Sequence, residues 1–89
     1  MQITYDPNKR AETLKYRNLD FEDAAKVFAG KHFQMEDDRQ DYGEERFAII
    51  GLAGGQILYV AYTERKDVFR IISARAATEH EQEIYFQQS

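Results

Sequence analysis

The run Ile57-Leu58-Tyr59-Val60-Ala61 constrains this chain more than any other stretch. Near-continuous apolar content of that length, bounded by turn signals, reads as a strand covered on both faces. Gln56 to Thr63 is therefore the expected centre of a sheet. Ala53-Gly54-Gly55 before it is a tight hairpin signal. Glu64 to Asp67 after it turns the chain back, and the strand that begins at Val68 pairs with it. Val68, Phe69, Ile71 and Ile72 supply β-branched and aromatic bulk. The same stretch ends in a helix start, with Thr78 and Glu81 at capping-box spacing.

The other elements follow from periodicity. Ile3 to Tyr5 reads as a short first strand. Asp6 is placed as an N-cap with Pro7 at the first helical position. The helix from Pro7 to about Tyr16 is expected to turn Ala11, Leu14 and the stem of Lys15 inward. Asn18 suits a left-handed turn that breaks it. A second helix starts at Asp20, with Phe21, Ala24, Ala25 and Phe28 at helical spacing and Gly30 as its C-terminal cap. Phe33 and Met35 then alternate with polar residues, which predicts a strand over 31–37. Arg46 to Gly51 is the next strand, with Phe47 and Ile49 on one face. In the last helix Glu81, Ile84 and Tyr85 recur at helical spacing. Helices followed by a run of strands indicate an α+β fold: a short first strand, two helices, a four-stranded antiparallel meander and a C-terminal helix. Residues 1–89 are expected to form one domain.

Six Phe and six Tyr in 89 residues predict a core built largely from rings. With no Cys there is no disulfide, thiol nucleophile or thiolate metal site. The N-terminal residues lack an apolar run and no stretch is long enough to span a bilayer, so a cytoplasmic protein with no membrane partner is expected. Of 16 acids and 12 bases, Glu36–Glu45 holds six acids and one base, leaving ten acids against eleven bases elsewhere. Most of the net charge of −4 is thus one local block, which can repel RNA from one side or receive a basic partner.

Only two histidines are present, His32 and His80, at no metal-ligand spacing, so neither metal nor cofactor is expected. Gly54-Gly55 does not precede a helix and is no phosphate loop. What remains is an arginine set on the sheet half, Arg46, Arg65, Arg70 and Arg75, with Lys66. A planar guanidinium fork binds phosphate bidentately and stays charged. Tyr59, Tyr62 and Phe69 interleave with this set, which makes base stacking an expectation. In a regular strand Arg70 and Arg75 face opposite sides, unless the strand twists or bulges.

The segment Arg70-Ile71-Ile72-Ser73-Ala74-Arg75-Ala76-Ala77, followed by Glu81 and Tyr85, resembles the end of BrnT-type toxins, ribonuclease partners in type II toxin–antitoxin pairs. Tyr5-Asp6-Pro7-Asn8-Lys9, Phe21-Glu22-Asp23-Ala24, Val27-Phe28, Gly43-Glu44-Glu45-Arg46, Gly51 and Thr63-Glu64-Arg65 are similar to family pieces in the same order. The resemblance implies a RelE-like ribonuclease fold, metal-independent RNA cleavage, and inhibition by a cognate antitoxin. That antitoxin would carry a ribbon-helix-helix domain, and operator DNA would be met only through it. Carried over, Glu44, Arg46, Arg65, Ser73 and Arg75 sit on matching motif positions. The expected catalytic set is Glu44 as base with Arg65 and Arg75 stabilising the phosphorane; Lys9, Arg17, Arg46, Arg70 and Ser73 are expected to bind RNA.

Two departures stand out. Many members carry Asn-x-x-Lys-His-Gly between the two helices, where this chain reads Thr13-Leu14-Lys15-Tyr16-Arg17-Asn18. Arg17 thus stands at the histidine position, and the side chain best suited to proton transfer near neutral pH is lost. Ala76 stands where many members have Lys. The Arg17 substitution and the acidic block favour a second expectation, a catalytically weak or inactive module that acts as co-repressor with its DNA-binding partner. A third is a small domain whose aromatic surface mediates self-association into a homo-oligomer.

Overall fold

The computed structural model describes residues 2–36 and 46–88. Residues 37–45, where the acidic block was expected to turn the chain and where the expected base Glu44 falls, lie outside the described residues. In chain order the elements are β1 (Gln2–Tyr5), α1 (Pro7–Arg17), α2 (Phe21–Ala29), β2 (His32–Glu36), β3 (Phe47–Ala53), β4 (Gln56–Arg65), β5 (Val68–Ala76) and α3 (Glu79–Gln88). The five strands form one sheet in the order β1-β5-β4-β3-β2. Strands β2 to β5 are the antiparallel meander read from the sequence, and β4 is its central strand. The added feature is β1, which pairs parallel to β5 over Val68–Ile71.

One face of the sheet is packed by α2. Phe21, Ala24, Val27 and Phe28 are buried there against Ile49, Val60, Tyr62 and Ile71. Each large side chain fully enclosed in this way stabilises the fold by about 1.5–3 kcal/mol. Val27 takes a core position that the spacing had given in part to Ala25, which is half-buried. The helix lies so close to β3 that a Cβ on Gly51 would stand 2.7 Å from Val27 Cγ1. Phe28 anchors an aromatic group with Tyr62 and Phe69, at centroid distances of 5.0 and 5.4 Å. The opposite face carries α3, where Ile50, Ile57, Ala77 and Tyr85 are buried with Phe33, Met35, Tyr59 and Ile84 beside them.

Local signals account for the element ends. Asp6 accepts from the Asn8 N–H and Asp20 from the Glu22 N–H, each as an N-cap. Asn18 is left-handed, at φ 54°. Gly54 and Gly55, at φ 59° and 78°, make the two-residue hairpin between β3 and β4. Thr78 and Glu81 form the reciprocal capping box of α3.

The expectation for α1 needs correction. Ala11 and Leu14 do not face a core: α1 has no buried residue, and Leu14 is 44% exposed. Polar contacts dock the helix instead. Arg10 grips Asp20 through Nε and Nη2 at 2.8 and 3.1 Å. Arg17 Nη1 donates to the Ala74 carbonyl at 2.9 Å. The reason lies in sheet topology. β1 ends opposite Ile71, so α1 runs beside the open edge of β5 rather than over a closed apolar face.

Candidate functional site

The pairing of β4 with β5 decides which side chains share a face. Tyr62 pairs with Ile71, but Ala61 pairs with Ser73, so Ile72 is an inserted residue. Such a bulge reverses the alternation beyond it. Arg65/Val68, Thr63/Arg70, Ala61/Ser73 and Tyr59/Arg75 therefore form successive rows on one face. Arg70 and Arg75 come to the same side, as the sequence allowed only if the strand bulged. The other side holds Glu64/Phe69, Tyr62/Ile71 and Val60/Ala74. Tyr62 and Phe69 consequently belong to the core around Phe28 and are not positioned to stack on a base among the arginines, which corrects that expectation. Tyr59 alone of the three aromatics is on the arginine face.

The rows differ in what they offer. Arg65 and Arg70 are exposed, and Ser73 is half-buried. Ala48 and Ala61 are fully buried, so at the Ala61/Ser73 row the accessible part of this face is its β5 side. Arg46, immediately before β3, is half-buried with its Nε shielded from solvent. Arg65 and Arg75 are separated by the strand length from Arg65 to Tyr59, about 20 Å. The two can flank a stretch of phosphodiester chain; Ser73 lies between them, one row from Arg70 and one from Arg75.

Arg75 is held on the molecule itself. Its Nη1 and Nη2 donate to Glu81 at 2.8 and 2.9 Å, and its Cζ lies 4.0 Å from the centroid of the Tyr59 ring. The fork keeps the Glu81 carboxyl below the usual glutamate range, with the Thr78 N–H contributing. Similarly, the Arg10 fork brings Asp20 down to about 2. These two ion pairs fix α3 and α1 with respect to their neighbours.

A second concavity opens at the β5 edge. Lys9, Glu12, Thr13, Tyr16 and Arg17 face Ile72 and Ser73 across a cleft of about 360 Å³. The five helix residues follow i, i+3, i+4, i+7 and i+8 spacing, one stripe of α1. Three of the residues expected to bind RNA, Lys9, Arg17 and Ser73, are thus brought together from distant parts of the chain. Ser73 is common to the cleft and to the arginine rows. Glu12, Thr13 and Tyr16 line the cleft without being among the residues expected from the sequence; the signal for them was the stripe itself, polar where an ordinary helix is apolar. The ion pair of Glu81 with Arg75 is absent from the sequence reading, because nothing in its spacing announces a partner six residues earlier on a strand.

Both histidines are exposed, and His32 Nδ1 is 2.9 Å from the Gly30 carbonyl oxygen. Among the described residues no group of three or more His, Cys, Asp or Glu is placed to hold a metal ion, and no helix is long and apolar enough to cross a membrane. A family model described as the ribonuclease toxin BrnT of type II toxin–antitoxin systems matches residues 5–81. A search of curated proteins gave no match.

Proposed function

The chain belongs to the family of BrnT ribonuclease toxins of type II toxin–antitoxin systems, and from that premise we propose how its residues meet RNA. RNA is the target and a cognate antitoxin the partner, as the family implies. In the proposal the phosphodiester chain runs along the β5 side of the arginine face and turns at Ser73 into the cleft beside α1. The observation that carries this is the bulge at Ile72, which gathers Arg70, Ser73 and Arg75 on one face.

Cleavage without a metal needs charge stabilisation supplied by side chains. The 2′-oxygen attacks phosphorus as its proton passes to a base, the role the family resemblance gives to Glu44; the bond to the 5′-oxygen breaks, and that oxygen takes up a proton from water. Negative charge builds on the non-bridging oxygens in between. Arg70, one row from Ser73, is the nearest exposed fork for them, and Arg65 binds the chain farther along. Lys9 and Arg17, at the two ends of the α1 stripe, hold flanking phosphates on the other side. Arg75 meets the substrate only by sharing its fork with Glu81, so its first role is to position α3 at the rim. The proposed setting is the cytoplasm, with a ribbon-helix-helix antitoxin that links the toxin to operator DNA.

Purified protein on single-stranded RNA in EDTA tests this. Wild type should cleave, the antitoxin should stop it, and Arg70→Ala should lower kcat/KM by about 10². Cleavage that requires added divalent ion, or is unchanged in Arg70→Ala, overturns the proposal. One observation favours the second reading, a non-catalytic co-repressor: Arg75 and Arg17 both bind groups of the chain itself. A folded protein that binds its antitoxin but cuts no RNA, and permits unimpaired growth when expressed alone, would establish it.

A further inference from the structure

Helix α1 is built the wrong way round for a structural helix. It has no buried residue, leaves Leu14 44% exposed, and turns a polar stripe toward β5. A helix gains most of its stability from an apolar face packed on a core. This chain forgoes that and pins the helix with two arginine contacts instead, Arg10 to Asp20 and Arg17 to the Ala74 carbonyl, which leaves the polar stripe open to a ligand.

We propose that the cleft between α1 and β5 is a nucleotide subsite that selects guanine. This assignment rests on the ribonuclease reading above and adds the base specificity to it. The volume, about 360 Å³, falls at the small end of ligand sites, suitable for a single unstacked nucleotide. Tyr16, 73% exposed, supplies the stacking ring. The Lys15 ammonium lies 5.3 Å from the centroid of that ring, and the base takes the opposite face. Unstacked bases are commonly bound by an aromatic side chain in this way. Lys9 and Arg17 place positive charge at the two ends of the stripe, for the flanking phosphates.

Glu12 decides which base fits. A carboxylate offers two acceptor oxygens and no donor. Guanine presents two adjacent donors on its pairing edge, the N1–H and the N2 amino group, which match both oxygens. Adenine and cytosine each present one amino donor beside a ring-nitrogen acceptor, which the carboxylate repels. Uracil has a single N–H between two carbonyls. Only guanine satisfies both carboxylate oxygens without setting acceptor against acceptor.

The test uses fluorescent 2′-O-methyl RNA octamers, which bind but cannot be cleaved, with one central guanosine or one central adenosine in an otherwise uridine sequence. Anisotropy titrations should show at least tenfold tighter binding of the guanosine octamer. In Glu12→Gln that ratio should fall to about two or less, since an amide supplies a donor to adenine and one acceptor less to guanine. Tyr16→Ala should weaken both octamers by about fivefold or more while leaving their ratio in place. Circular dichroism and antitoxin binding confirm that each variant is folded. A wild-type ratio near one, no binding of either octamer, or an unchanged ratio in Glu12→Gln overturns the subsite. Cleavage of unmodified RNA is read separately. A cleaving enzyme indifferent to Glu12 refutes the subsite alone, whereas a selective binder that never cleaves supports the subsite and refutes the ribonuclease reading.

Discussion

Replacing Glu81 with glutamine separates the ion pair with Arg75 from the helix cap. Glu81 accepts from both Arg75 nitrogens, at 2.8 and 2.9 Å, and from the Thr78 N–H at 2.9 Å. Glutamine serves a capping box as glutamate does, so Glu81→Gln keeps the turn and removes the charge. The side chains are 39% and 12% exposed for Arg75 and Glu81. Solvent screens such a pair, but its bidentate geometry and nearly enclosed carboxylate place it near the upper end for surface pairs, at about 1 kcal/mol. For a chain of this size that is a Tm lower by about 4–8 °C.

The loss carries a pH signature. Glu81 is depressed chiefly by the hydrogen bond from Arg75. A carboxyl depressed in the folded state contributes stability that is present above its unfolded value and lost as pH falls through the folded one. The gap between wild type and Glu81→Gln should therefore be full at pH 7 and narrow as pH drops below about 4. Urea unfolding followed by circular dichroism at pH 7, 5, 4 and 3 measures it. Equal stability at pH 7, or a gap unchanged down to pH 3, refutes the reasoning.

Other outcomes follow from the same geometry. Gly51→Ala drives a Cβ to 2.7 Å from Val27 Cγ1 and 3.1 Å from the Lys31 carbonyl, and should cost about 1–3 kcal/mol in urea denaturation at unchanged m-value. Lys66 and Asp67 hold φ of 52° and 66° in the turn between β4 and β5; Lys66→Asn with Asp67→Gly should raise stability by roughly 1 kcal/mol and Tm with it. Asp20, brought down to about 2 by Arg10, contributes stability above about pH 4 that disappears toward pH 2. Arg10→Ala should thus lower Tm at pH 7 and converge on wild type in acid. Arg17→Ala removes a cleft cation and the donor to the Ala74 carbonyl; RNA affinity should fall and its dependence on salt concentration should flatten.

The elements that were legible in the sequence are those with a local cause. The apolar run from Ile57 to Ala61 announced a central strand because burial on both faces leaves no polar alternation. Asp6-Pro7, Asn18, Gly54-Gly55 and Thr78 with Glu81 marked ends because caps and hairpin turns need particular side chains or dihedrals. What was not legible depends on register or on distant contacts. One inserted residue at Ile72 moved Arg75 to the face of Arg70 and Tyr59, and alternation alone cannot reveal where a strand bulges. The parallel pairing of β1 with β5 left an open strand edge, and that edge decided that α1 would present polar residues inward. Leu14 was assigned to a core because helical spacing says which residues share a face, but not what that face meets. The pairing of Arg75 with Glu81 is likewise a meeting of strand and helix that only the fold creates.

The placement of RNA on β5 and α1 is best tested by titrating ¹⁵N-labelled protein with the guanosine octamer and following its backbone amide signals. The account predicts shifts concentrated at Arg70–Arg75 and Lys9–Arg17, with little change along the outer surface of α2. Shifts confined to α2 or β2, with β5 and α1 unmoved, would contradict it.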